Sequence, residues 1–165
     1  MKVIEGSLLD TKVKYIVQQC NCLTVRAHGL SQVIVDKYPW ADPYGCRKSM
    51  GKRNCAIEND RDKPGSIKIF DSPDEDKHVI CMFAQWTPGI PGKFTTYPDY
   101  DCDTYINRQL WFNNCLNEIG KLDIKEVAFP WKIGCGLAGG NWTTYKSMIE
   151  RFERTSGIEV YIYRL

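Results

Sequence analysis

The sequence contains no long apolar run. Its longest hydrophobic stretches have the length of strands, so no segment reads as a transmembrane helix. The opening residues, Met1-Lys2-Val3-Ile4-Glu5-Gly6, lack the apolar core of a secretory signal, so a cytoplasmic, intracellular protein is expected. A strong excess of one charge is also missing. A formal net charge of +2 does not by itself point to nucleic acid or to a membrane as partner. There is no internal repeat, low-complexity tract or interdomain linker, and 165 residues read as one domain, 1–165, with room for a sizeable core. Histidine is scarce, with only His28 and His78 in the chain. Cysteine is not scarce, but its eight copies are scattered. Cys20-x-Cys22 is too tight for a zinc knuckle and has no second close pair to face it. These cysteines read as reduced, mostly buried thiols, and neither a metal nor another cofactor is expected.

What the chain does contain is concentrated in Glu126 to Trp142. Val127–Phe129 is a short apolar strand that passes through Pro130 into a turn with four glycines in seven residues, Gly134 to Gly140. A helical pattern follows, with Thr143 or Thr144 placed to cap it and Tyr145, Met148, Ile149 and Phe152 on one face. Strand, glycine loop and helix in this order make a phosphate cradle. Glycine lets backbone N–H groups close on an anion, and a helix N-terminus adds a favourable dipole. Gly134-x-Gly136-x-x-Gly139 also matches the dinucleotide fingerprint, but it lies near the C-terminus rather than at the first strand of a series of βα units. The alternative is a tight turn whose glycines serve packing alone. Cys135 is a candidate nucleophile or, alternatively, a small side chain beneath the turn.

The rest of the chain supplies further strands and helices. Strands are expected at Lys2–Glu5, Tyr15–Cys20, Ser66–Phe70, His78–Gln85 and Ile158–Arg164. Helices are expected at Leu30–Tyr38, stopped by Pro39, at Pro43–Met50, and at Thr104–Gly120. In the last, Tyr105, Leu110, Trp111, Cys115, Leu116 and Ile119 form the apolar stripe. Trp86–Asp103 is a long loop, and a loop of that length in a small domain is usually functional. With the helix after the glycine loop, the count is about six strands and four helices. This implies an α/β domain whose mixed central sheet is flanked by helices on both faces, with ligand at the C-terminal ends of the strands.

Taken together these pieces resemble a macro domain, over nearly the whole chain. The residues that carry the likeness are Gly6-Ser7-Leu8-Leu9 after the opening strand, Asn21 at the end of the second, and Ala27-His28-Gly29-Leu30 running into a helix. Pro130-x-x-Ile133-Gly134-Cys135-Gly136-Leu137-Ala138-Gly139-Gly140-x-Trp142 completes it. The last motif is similar to the branch with ADP-ribose 1''-phosphate phosphatases and terminal ADP-ribose glycohydrolases. The resemblance implies an ADP-ribose cleft with the diphosphate between two loops, here Ala27–Leu30 and Ile133–Leu137, and Ser7 and Leu8 towards the adenine. Ser7 stands where many relatives carry an aspartate. The glycohydrolases of the branch use a lysine after the strand that ends here at Gln85, and an aspartate at the position of Ala138. This chain has neither, although Lys93 lies in the long loop.

The remaining candidate for chemistry is His28, as general acid or base or as phosphoryl acceptor, with Asn21 orienting the ribose or a water. Thr87 or Lys93 would meet a terminal phosphate. The leading expectation is therefore a metal-free ADP-ribose 1''-phosphate phosphatase. The alternatives are a non-catalytic ADP-ribose-binding module and an ADP-ribosyl hydrolase. The expected partners are ADP-ribose or its 1''-phosphate derivative and ADP-ribosylated protein, bound by a monomer with no membrane partner. Nucleic acid would rest only on Arg47, Lys48, Lys52 and Arg53, which read as a solvated face.

Overall fold

A computed structural model describes all residues, 1–165. Six strands form one sheet: β1 (Lys2–Glu5), β2 (Tyr15–Asn21), β3 (Ile67–Asp71), β4 (His78–Gln85), β5 (Glu126–Pro130) and β6 (Glu159–Arg164). Their order is β1-β6-β5-β2-β4-β3. All neighbours run parallel except β3, which closes the edge antiparallel to β4. β2, β4 and β5 are central, and their C-terminal ends lie side by side.

The central strands are apolar at consecutive positions because both faces are covered. Side chains still alternate between the two faces. Val17, Ile80, Met82, Val127 and Phe129 point to one face, where α2 (Tyr105–Gly120) and α3 (Trp142–Ser156) pack through Phe112, Leu116, Tyr145 and Ile149. Ile16, Cys20, Val79, Cys81 and Phe83 point to the other, against α1 (Leu30–Lys37), Leu23 and Tyr44.

Three expectations change. The helix predicted at Pro43–Met50 is absent, so the chain has three α-helices rather than four. The Asp42 carboxylate accepts from the amides of Tyr44 and Gly45 and sets a turn instead. Arg47 then runs inward, not outward as a basic face would require, and is only 6% exposed. The second change concerns α2. Tyr105 and Leu110 are 48% and 57% exposed, and the inward stripe is Arg108, Phe112, Cys115, Leu116 and Ile119. That stripe has regular helical spacing, but it begins with an arginine, which apolar periodicity does not count. Third, α3 is capped by Asn141, whose side chain accepts from the Thr144 amide at 3.3 Å, and not by a threonine.

Candidate functional site

At the C-terminal ends of β2, β4 and β5 lies a cleft of about 320 Å³. Its floor is formed by Gln19 and Gln85 from adjacent strands. Gln19 Nε2 donates to Gln85 Oε1 at 2.8 Å, and Gln85 Nε2 donates to the Thr87 carbonyl at 3.1 Å. The Gln19 Oε1 atom is buried without a partner. It faces Gly134, where a β-carbon would approach it to 2.7 Å and Tyr145 Cε1 to 2.9 Å. With φ at +73°, Gly134 is a position where any side chain is strained as well as crowded.

One wall is the glycine loop. The amides of Cys135, Gly139 and Gly140 are used inside it, donating to the carbonyls of Lys132, Gly136 and Gly134. The amides of Gly134, Gly136, Leu137 and Ala138 donate to no protein group. A β-carbon at Gly136 would meet nothing within 4 Å, so this residue opens directly onto the cleft. Lys132, just before the turn, also lines the cleft and has a left-handed φ of +56°. The opposite wall is the start of α1. Gly29 occupies its cap position with no capping side chain, and the Leu30 and Ser31 amides at the helix start donate to no protein group. The Ser31 hydroxyl donates to Gln18 Oε1 at 2.6 Å and pins this end of α1 to the sheet. Two sets of free amides thus line one space, the arrangement a diphosphate requires. The helix N-terminus at the cleft is that of α1. The start of α3 lies outside the lining and has its own cap.

A second hollow of about 540 Å³ continues from the first. The two share Asn21, His28, Pro88, Gly89 and Leu137, which form a waist. His28 is exposed there, with no hydrogen bond to the protein. Leu137 stands across from the α1 loop, 71% exposed.

Two buried arginines hold the walls. Arg108 on α2 is 1% exposed and pairs with Asp103 through Nε at 2.6 Å and Nη2 at 2.8 Å. Its Nη1 bridges two walls, donating to Gly89 O at 2.7 Å and Ala138 O at 3.2 Å. Asp103 Oδ2 in turn accepts from the Trp86 and Thr87 amides and from the Thr87 hydroxyl. The long loop is thereby fastened to the glycine loop, and Ile90 packs where a side chain on Gly139 would sit. Arg47 does the same for the other wall. It pairs with Asp62 and donates to the carbonyls of Asn21 at 2.8 Å and Thr24 at 2.7 Å.

The site residues expected from sequence fall into three groups. His28, Gly29, Leu30, Ile133, Gly134, Gly136 and Leu137 line the cleft, and Ala27 lines the outer hollow. Asn21 lines both, but its Oδ1 accepts from the Leu23 and Thr24 amides at 2.9 and 2.8 Å, and one Nδ2 proton goes to Thr24 Oγ1. Its main work is to shape the turn that leads to His28. Ser7, Leu8 and Cys135 are not in the lining. Ser7 Oγ caps a short 3₁₀ turn and borders a separate hollow beside Tyr161 and Tyr163, while Leu8 is in the core. Cys135 is half-buried beneath the turn, and burial pushes its thiol up to about 11, so it is no ready thiolate. Thr87 is 1% exposed and committed to Asp103, which removes it as a phosphate contact. Gln19, Gln85, Ser31, Tyr44, Trp131 and Lys132 join the lining without having been singled out. The ends of neighbouring central strands were the available signal for the first two. Tyr44 accepts from the Asn21 amide, and burial raises its pKa well above the ordinary phenol value, so it stays neutral. No carboxylate lines the cleft, and no three His, Cys, Asp or Glu side chains converge as a metal site needs.

No protein-family model and no curated protein matches this sequence. Solved structures do match. The macrodomain of Thermus aquaticus DarG superposes with a TM-score of 0.65 at 20% identity, covering 99% of this chain and 97% of that one. The macrodomain of Mycobacterium tuberculosis DarG gives 0.65 at 19% identity, again over 99% and 97%. A Trypanosoma brucei macrodomain, solved in complex with ADP-ribose, gives 0.60 at 12% identity, over 98% of this chain and 62% of its own. The chain has the macrodomain fold.

Proposed function

We propose that this protein is an ADP-ribose 1''-phosphate phosphatase. Opposed free amides of the glycine loop and of the α1 N-terminus hold the diphosphate, and the terminal ribose extends towards His28. Water attacks the phosphorus and forms the new P–O bond. The bond from phosphorus to the C1'' oxygen breaks, giving ADP-ribose and inorganic phosphate. His28 takes the proton from water or supplies one to the departing C1'' oxygen. The observation that carries this reading is that His28 is the only histidine in the lining, that no carboxylate or thiol joins it there, and that it stands unpartnered at the waist. The missing carboxylate at Ala138 speaks against hydrolysis of a glycosidic bond, which generally relies on acidic side chains. The Trypanosoma relative solved with ADP-ribose supports the ligand class.

The test is incubation with ADP-ribose 1''-phosphate and with ADP-ribosylated protein in parallel, following inorganic phosphate and free ADP-ribose. Phosphate release from the first substrate is expected. His28→Ala should lower it by at least roughly tenfold with little change in ADP-ribose affinity, since general acid–base groups contribute about 10²–10⁴-fold. Release of ADP-ribose from protein instead would replace this reading with a hydrolase. Neither product, with ADP-ribose still bound, would leave a binding module.

A further inference from the structure

We infer that the outer hollow is a phosphate subsite, in which Arg26 and Lys93 hold the dianionic group carried by the terminal ribose. The inference rests on the phosphatase reading and gives that substrate's phosphate a location. The hollow opens from the cleft through the waist at His28, so a ligand whose diphosphate fills the inner cleft directs its terminal end into it. Its twelve lining residues include two cations and no carboxylate. These cations are free, whereas other arginines nearby are committed: Arg47 to Asp62, Arg108 to Asp103, and Arg53 to the Thr96 carbonyl. Arg26 and Lys93 have no carboxylate partner.

Both cations sit on braced backbone. The stem before Arg26 is held by Val25 N donating to Asn54 Oδ1 at 3.0 Å, and by Thr24 Oγ1 contacting the Arg26 carbonyl at 3.4 Å. Lys93 is directed by its own side-chain packing. Its Cδ lies 3.2 Å from where a β-carbon on Gly89 would stand, and its ammonium lies over the Phe94 ring at 5.3 Å. Gly89 itself lines both hollows, so the lysine stem lies beside the waist. A guanidinium and an ammonium beside one space, with no acid to neutralise them, favour a doubly charged phosphate over a singly charged carboxylate.

The experiment compares wild type with the double variant Arg26→Gln/Lys93→Gln. Both positions are exposed, so the fold should be retained, which circular dichroism checks. The wild type should bind ADP-ribose 1''-phosphate at least about tenfold more tightly than ADP-ribose at low salt. In the double variant that preference should vanish and KM for phosphate release should rise about tenfold, with the inhibition constant of ADP-ribose shifted less than about twofold. Arg26→Lys/Lys93→Arg should restore the preference. If the wild type hydrolyses the substrate and the double variant keeps its KM, the subsite is wrong and the phosphatase stands. If no phosphate is released yet the binding preference exists and is lost in the double variant, the subsite stands and the phosphatase falls. Equal affinity of the wild type for the two ligands overturns the subsite.

Discussion

The two buried arginines invite comparison. Both are nearly inaccessible, both pair with an aspartate, and both donate to backbone carbonyls of the cleft walls. They differ in how far their aspartates are removed from water. The Asp103 side chain is fully buried and its bonds close a network around Arg108. The Asp62 side chain keeps 11% of its exposure and is shared with Lys68 at 3.0 Å. Arg47 also stacks on Tyr44 and Phe83 with its charge centre 4.9 and 5.6 Å from the rings. Arg108 therefore rests on a single ion pair sealed from water, whereas Arg47 adds two aromatic faces and its aspartate has a second cation. The walls they hold differ accordingly: Arg108 stabilises the wall that offers amides to an anion, and Arg47 stabilises the turn that presents His28.

Removing each arginine should expose that difference. Arg108→Ala leaves Asp103 buried without a counter-charge and strips the Gly89 and Ala138 carbonyls of their donor. A loss of about 3–5 kcal/mol in chemical denaturation is expected, and ADP-ribose binding should weaken in whatever protein remains folded. Arg47→Ala should cost less, about 2–3 kcal/mol, because Asp62 retains Lys68 and some water. Equal losses would erase the distinction between a closed and a shared network. The smallest effect is expected at Cys135, on the binding wall. With its thiol pushed up to about 11 by burial, it should remain protonated at pH 8 and be alkylated far more slowly than exposed Cys46, as mass spectrometry of the labelled protein would show. Cys135→Ser should leave phosphate release unchanged, and a large loss would return this cysteine to the chemistry.

Most of the architecture was legible in the sequence because strand and helix periodicities are local properties. All six strands were expected within a residue or two of where they lie, and the glycine loop and the His28 loop do face one cleft. The residues misread were those whose role depends on distant partners. Arg47 belongs by composition to a basic run, and only the fold brings it to Asp62 and to the carbonyls of Asn21 and Thr24. Arg108 breaks the apolar stripe of α2, so Tyr105 and Leu110 were added to an inward face of which Cys115, Leu116 and Ile119 are in fact part. Asn21 was read as a ligand contact, but its Oδ1 is satisfied within three residues of chain, a detail that a strand-end asparagine does not disclose. Thr87 lay in the right loop with its hydroxyl already taken. Ser7 was expected in the site from its position after the opening strand, although a serine departs from the aspartate of the pattern, and the sheet order places it near the β1 edge, outside the cleft.

The central claim is that backbone amides of the glycine loop hold the ligand, and Gly136 tests it most directly. A β-carbon there meets no protein atom within 4 Å, so the fold should tolerate a side chain, whereas a carboxylate would enter the space assigned to the diphosphate and repel it. The measurement is calorimetric titration of wild type and Gly136→Glu with ADP-ribose, after circular dichroism has established that both are folded. Saturable binding by the wild type and none by the variant is the predicted result. A folded variant that binds ADP-ribose with unchanged affinity would contradict the account and move the phosphate site elsewhere.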